Sequence, residues 1–149
     1  EASALLGSLL IDGLADGIWL QNNSLEQRDV VATAFNLLQA TRLRFTRPEY
    51  ISCPSCGRTL FNIQKAVQQV RKATSHLTGL TIGVMGCIVN GPGEMAGADY
   101  GVVGAGKGKV TLFKGDVVAL QSVNEEEAAD ALVDLIKKNG DWRDPASNV

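Results

Sequence analysis

Three cysteines, all that this 149-residue chain contains, sit in two loops. One is the turn Cys53-Pro54-Ser55-Cys56; the other holds Cys87 within Met85-Gly86-Cys87-Ile88-Val89-Asn90-Gly91-Pro92-Gly93-Glu94. A Cys-x-x-Cys turn places two sulfurs close enough to serve one metal centre. The third cysteine lies in a glycine- and proline-rich loop, where backbone can approach a bulky inorganic ligand. Each group follows a segment that reads as a strand, Glu49-Tyr50-Ile51-Ser52 and the apolar run Leu80 to Met85. In open α/β sheets, ligands bind beyond the carboxyl ends of strands. The pattern therefore predicts that Cys53, Cys56 and Cys87 converge at one end of a sheet, although 31 residues separate Cys56 from Cys87.

An odd cysteine count argues against a secreted disulfide framework and for metal binding or catalysis. The competing reading makes Cys53 and Cys56 a redox dithiol and Cys87 a small buried residue. For a four-ligand site the fourth ligand is His76, Glu94, Asp99 or a non-protein group. His76, the only histidine, falls at the predicted end of a helix, where it reads first as a cation facing the helix C-terminus. Glu94 lies seven residues beyond Cys87, across a turn that can fold its carboxylate back beside the sulfur; it also reads as an exposed loop acid. Three sulfurs with a nitrogen or oxygen ligand suit zinc or an iron–sulfur cluster. Spacing does not separate them, although zinc sites more often show two Cys-x-x-Cys pairs.

The rest of the chain alternates helices and strands. Residues 1 to about 20 read as a short helix followed by a strand around Gly17-Ile18-Trp19-Leu20. Ser24 and Gln27 form a capping box for a helix running to about Arg44, with an apolar stripe that includes Leu25, Val30, Val31 and Leu37. A second helix spans about Thr59 to His76, with Leu60, Ile63, Val67 and Val70 at helical spacing. Tyr100 to Val103 and Lys109 to Phe113 flank the glycine-rich stretch 104–108 as a hairpin, and a short strand, Val117 to Leu120, follows. Asn124 and Glu127 cap a last helix that closes at Gly140. The fold class expected is α/β (or α+β): a small mixed sheet flanked by helices.

Composition narrows the function. A hydrophobic content of 45% with 20% charged residues is ordinary for a globular domain. A net charge of −2, few aromatics and no basic stripe give no sign of nucleic acid. No apolar run reaches the ~18 residues of a membrane span, and the apolar stretch Ala4 to Ile11 lacks the basic start of a signal peptide. The chain does not begin with Met, and it is expected to be a processed or excised piece.

The segments Tyr50-Ile51-Ser52-Cys53-Pro54-Ser55-Cys56-Gly57-Arg58-Thr59 and Met85-Gly86-Cys87-Ile88-Val89-Asn90-Gly91-Pro92-Gly93-Glu94 closely resemble the two signatures of the 4-hydroxy-3-methylbut-2-enyl diphosphate synthases. These are the reductive enzymes of the methylerythritol phosphate route to isoprenoids. The resemblance runs from about Leu5 to Trp142. It implies a [4Fe–4S] cluster held by Cys53, Cys56, Cys87 and Glu94, with Asn90 facing the substrate. Asn90 also reads as a turn residue that tolerates positive φ. The family's cluster domain resembles the iron–sulfur modules of sulfite and nitrite reductases.

The resemblance further implies an oxidoreductase that opens the ring of 2-C-methyl-D-erythritol 2,4-cyclodiphosphate with two electrons and loses water. Its electron donor is ferredoxin or flavodoxin. A TIM-barrel domain precedes the cluster domain in the family and carries the diphosphate-binding basic residues and an assisting acid. Residues 1–22 then read as the tail of that preceding domain or a linker, and 23–149 as the cluster domain, inactive by itself. The wording around Tyr50 and Thr59-Leu60-Phe61 is closer to the long three-domain form of plants and some bacteria. The implied location is the cytoplasm, or the plastid stroma for a plant source. Arg58 and Lys65 face either the substrate or an acidic donor, or simply form a solvated helix face. A zinc-binding structural module and a thiol–disulfide oxidoreductase are the alternatives.

Overall fold

The computed structural model describes residues 2–145, which fall into two compact units divided between Thr46 and Arg47. The sequence reading starts the cluster domain at residue 23, whereas the compact unit that bears the cysteines begins at Arg47. The end of that domain, 146–149, lies outside the described residues.

The first unit holds α1 (Ala2–Ile11) and α2 (Gln27–Ala40). Leu10, Val30 and Leu37 are buried in this unit, and buried Gln39 accepts hydrogen bonds through Oε1 from the amide and hydroxyl of Thr46. Three expectations need correction here. Gly17 to Leu20 forms no strand, because a strand needs a hydrogen-bonded partner and no described strand in this unit supplies one. Ser24 does not cap α2: the side chain of Asn22 captures the amides of Ser24 and Leu25 at 2.8 and 3.1 Å, and the helix starts at Gln27 with Glu26 at its N-cap. It ends at Ala40 rather than near Arg44, since Arg42 turns into the left-handed region at φ 61.

The second unit is a five-stranded mixed sheet, in spatial order β1 (Glu49–Ser52), β2 (Thr81–Met85), β3 (Tyr100–Gly106), β4 (Lys109–Lys114) and β5 (Val117–Asn124). The first three strands run parallel, and β4 and β5 follow as an antiparallel meander. The α/β expectation holds. The helices α3 (Ile63–Thr74) and α5 (Ala128–Lys138) cover one face, where Val70, Ile82, Tyr100, Val102, Leu112, Leu132 and Ile136 form the main core. Their apolar stripes face the sheet and their charged residues face water. Asn62, not Thr59, opens α3, its side chain accepting from the Lys65 amide at 3.0 Å. Before α5 the segment Glu125–Glu127 is a 3₁₀ turn, and Gly140 takes the left-handed conformation just past the helix end, as expected.

On the opposite face a smaller core joins Met85, Met95, Ala98, Val103 and Phe113. Gly83 and Gly101, paired across β2 and β3, leave the slot that Met95 fills; a Cβ on Gly83 would come within 2.8 Å of the Met95 side chain. The β3–β4 hairpin is longer than expected, with only Lys107 and Gly108 outside the strands, because the bulge between Gly104 and Gly106 keeps the glycine-rich stretch in register.

Candidate metal centre

Parallel pairing decides where the cysteines meet. Ser52 pairs with Val84, so β1 and β2 end side by side, and the chain leaves each strand into a cysteine loop on the same end of the sheet. The Gly86 amide, one residue past β2, donates to Cys53 Sγ at 3.1 Å, which ties the two loops together. Gly86 sits so close to the first loop that a Cβ there would strike the Thr59 hydroxyl and lie 3.3 Å from Cys53 Sγ. The Cys-x-x-Cys turn is closed by the Thr59 amide donating to the Cys56 carbonyl at 2.9 Å. Ser55 takes φ 72 inside that turn, a left-handed conformation uncommon for serine.

The second loop is helical rather than a simple turn. Gly91 N–H donates to Cys87 O and Glu94 N–H to Asn90 O, both at 2.9 Å, and Gly91–Glu94 form a short helix, α4, with Pro92 in its first turn. Winding of this kind puts residues three and four apart on one face. Cys87, Asn90 and Glu94 follow that spacing and line one cavity with Cys53, Pro54, Ser55, Cys56 and Arg58. The cavity measures about 110 Å³. Asn90 has φ −105, so it is not a positive-φ turn residue as the sequence admitted. The Cys87-x-x-Asn90-x-x-x-Glu94 spacing with Pro92 was the signal for this helical turn.

The three thiols differ in exposure: Cys87 is buried, Cys53 half-buried and Cys56 exposed, and none is in a disulfide. Among the described residues no three His, Cys, Asp or Glu side chains close on a single ion position. The thiols and carboxylate instead ring the cavity wall. Hydrogen bonds from the Arg58 amide and guanidinium, with a further one from Thr59, hold the Cys56 thiol below its ordinary pKa. Arg58 in turn lies within electrostatic reach of Cys87 and Glu94.

The other candidates lie elsewhere. Asp99 precedes β3, at the end of the sheet opposite the cysteines, where its carboxylate accepts from the Thr81 amide at 2.8 Å. His76 follows α3 at that same far end and packs edge-on against Trp142 at 4.8 Å between ring centroids. Lys65 is drawn to Glu126, with an Nζ–Oε2 distance of 2.7 Å. Arg58 thus separates from Lys65: it belongs to the cavity wall rather than to a solvated helix face. The Gly86 donor to Cys53 carries no mark in the sequence alone, because it depends on the juxtaposition of β1 and β2.

Residues 49–138 match the family model of the GcpE protein C-terminal domain. The whole chain is 55% identical over 150 aligned residues to the 4-hydroxy-3-methylbut-2-en-1-yl diphosphate synthase (flavodoxin) of Bacteroides fragilis, of which it covers 24%. It is 53% identical, over 97% of its length, to 19% of the chloroplastic 4-hydroxy-3-methylbut-2-en-1-yl diphosphate synthase (ferredoxin) of Oryza sativa. The corresponding chloroplastic protein of Arabidopsis thaliana is 51% identical over 97% of this chain and 20% of its own length. The chain thus spans about a quarter or less of these relatives. No described helix is long and apolar enough to cross a membrane.

Proposed function

This chain belongs to the family of GcpE protein C-terminal domains, and from that premise we propose that it supplies the cluster-binding part of a 4-hydroxy-3-methylbut-2-enyl diphosphate synthase. Cys53, Cys56, Cys87 and Glu94 would hold a [4Fe–4S] cluster. One observation carries the reading: three thiols and one carboxylate, drawn from two loops distant in sequence, line a single cavity. A cubane takes each protein ligand on a different iron, so donors ringing a cavity suit it better than donors closing on a point. The donor set therefore fits the group.

When bound, the cluster supplies single electrons and an iron whose oxygen ligand is weaker than thiolate. The chain's residues provide the frame. Cys53 is held by the Gly86 amide, which aims its sulfur across the gap between the loops. Asn90, on the same helical face as Glu94, presents an amide to whatever enters the cavity mouth. The substrate we assign is the cyclodiphosphate that the resemblance of the two signatures implies, and the donor is a flavodoxin or ferredoxin, in keeping with the names of the relatives. A depressed Cys56 thiol serves a metal ligand and a redox thiol equally. The dithiol reading gives no role to Cys87 and Glu94 on the same wall.

The test is anaerobic reconstitution with iron and sulfide, followed by metal analysis and visible absorption, then turnover of the full-length polypeptide with the cyclodiphosphate and a chemical reductant. The expected result is stoichiometric iron and sulfide, a broad visible absorption and reductive ring opening. Zinc uptake without sulfide would overturn the assignment.

A further inference from the structure

Among the described residues that line the cysteine cavity, Arg58 is the only basic one, and it stands against four acidic groups: three thiols and Glu94. Its place follows from local structure. The turn that closes from Thr59 N–H to Cys56 O brings residue 58 back over the second cysteine. There it shares the cavity wall with Cys56, and its charge and donors help hold the Cys56 thiol below its ordinary pKa. Lys65, the other cation weighed for this region, is engaged by Glu126 and does not share the task. Asn90, the other polar side chain on the helical face, brings no charge.

Resting on the iron–sulfur reading, we infer that Arg58 is the positioning residue that sets the charge balance of this site: it grips the exposed Cys56 and offsets the negative charge of the filled cavity. The physical reason is simple. Four anionic ligands leave a four-iron cluster net negative, and each electron taken up from a one-electron donor adds one more negative charge. A fixed cation beside one ligand favours the more reduced state and raises the reduction potential. Arginine suits both tasks, since it keeps its charge at every working pH and presents a planar fork of donors. Cys56 is the exposed thiol of the three, so it is also the ligand most in need of a clamp.

The test compares wild type, Arg58→Gln and Arg58→Lys in the full-length polypeptide, each loaded anaerobically with iron and sulfide. The readouts are metal content and an electron-paramagnetic-resonance redox titration with dithionite. Arg58→Gln is expected to shift the reduced-to-oxidised ratio at the wild-type midpoint about tenfold toward oxidised, which is about 59 mV for one electron. Arg58→Lys, which keeps the charge, is expected to restore most of that shift. If Arg58→Gln loses its iron, retention of iron by Arg58→Lys supports the same role. A wild-type potential in Arg58→Gln, or equal loss of iron from both variants, overturns it. A wild type that takes up no iron and sulfide overturns the cluster reading itself, a separate and distinguishable failure.

Discussion

The proposal that Glu94 holds an iron makes a prediction at position 94. Thiolate is the softer ligand, so Glu94→Cys should retain or strengthen cluster binding. Turnover in the complete enzyme should fall, because no iron then opens to substrate. Iron content and anaerobic turnover measured on one preparation check both halves; wild-type turnover would count against the open-iron role. Gly104 presents a different constraint. A Cβ there would run into the Gly86 carbonyl and lie 2.8 and 2.9 Å from two Phe61 ring carbons. The carbonyl belongs to the backbone that positions the Cys87 loop and cannot step aside cheaply. Gly104→Ala is expected to cost about 1–3 kcal/mol in chemical unfolding and to lower iron occupancy, as the shifted loop moves Cys87 relative to Cys53.

At the scale of elements, the sheet with its two helices is held by contacts remote from the cavity. The α3 cap is one: Asn62→Ala removes the acceptor of the Lys65 amide and should destabilise the domain by about 1 kcal/mol in a denaturant titration. Another joins the segment after α5 to the sheet. Asp141 accepts from Tyr100 at 2.6 Å and from Lys114 at 2.8 Å, and these hydrogen bonds, Lys114's above all, hold its carboxyl below the usual carboxylate range. A carboxyl depressed in the folded state stabilises above the unfolded pKa of about 3.9 and loses that contribution as pH falls through the folded value. The pair is partly solvated, which limits its worth to about 1 kcal/mol or less. Asp141→Asn should therefore lower stability at pH 7, and the gap between variant and wild type should close in acid below the carboxylate range. Thermal unfolding at neutral and acidic pH measures it.

For the molecule as a whole, the unit from Arg47 onward has its own two-sided core and a complete sheet. The segment 47–149 is expected to fold cooperatively when expressed alone. The 149-residue chain is expected to bind the cyclodiphosphate weakly and not to reduce it. A diphosphate wants clustered arginines or helix N-termini, and the cavity wall offers Arg58 alone among the described residues. Calorimetric titration and anaerobic turnover, with and without the remaining three-quarters of the polypeptide found in relatives, test this; substantial turnover by the chain alone would place the substrate site within it. If the missing part is added in trans, activity should recover only partly, because a tethered partner has a far higher effective concentration.

Much of the site was legible in the residues themselves. The Cys-x-x-Cys turn and the lone Cys87 pointed to thiol or metal chemistry, and the strands expected before them are β1 and β2. The two signatures then pointed to Glu94 and Asn90. The strands of the second unit were legible too, since β-branched runs bounded by glycine leave few alternatives. Element ends were not, because capping is a local contest: Asn22 holds the Ser24 and Leu25 amides in a turn ahead of α2, and Asn62 rather than Thr59 opened α3. The strand expected at Gly17 to Leu20 failed for a larger reason, as a strand exists only with a partner. What the tertiary structure alone decided is the meeting of the two loops. Parallel pairing of β1 with β2 sets the Gly86 amide on Cys53 and gathers Arg58, Asn90 and Glu94 around one cavity. Spacing along a chain specifies which groups are present; only backbone hydrogen bonds between distant segments determine which of them touch.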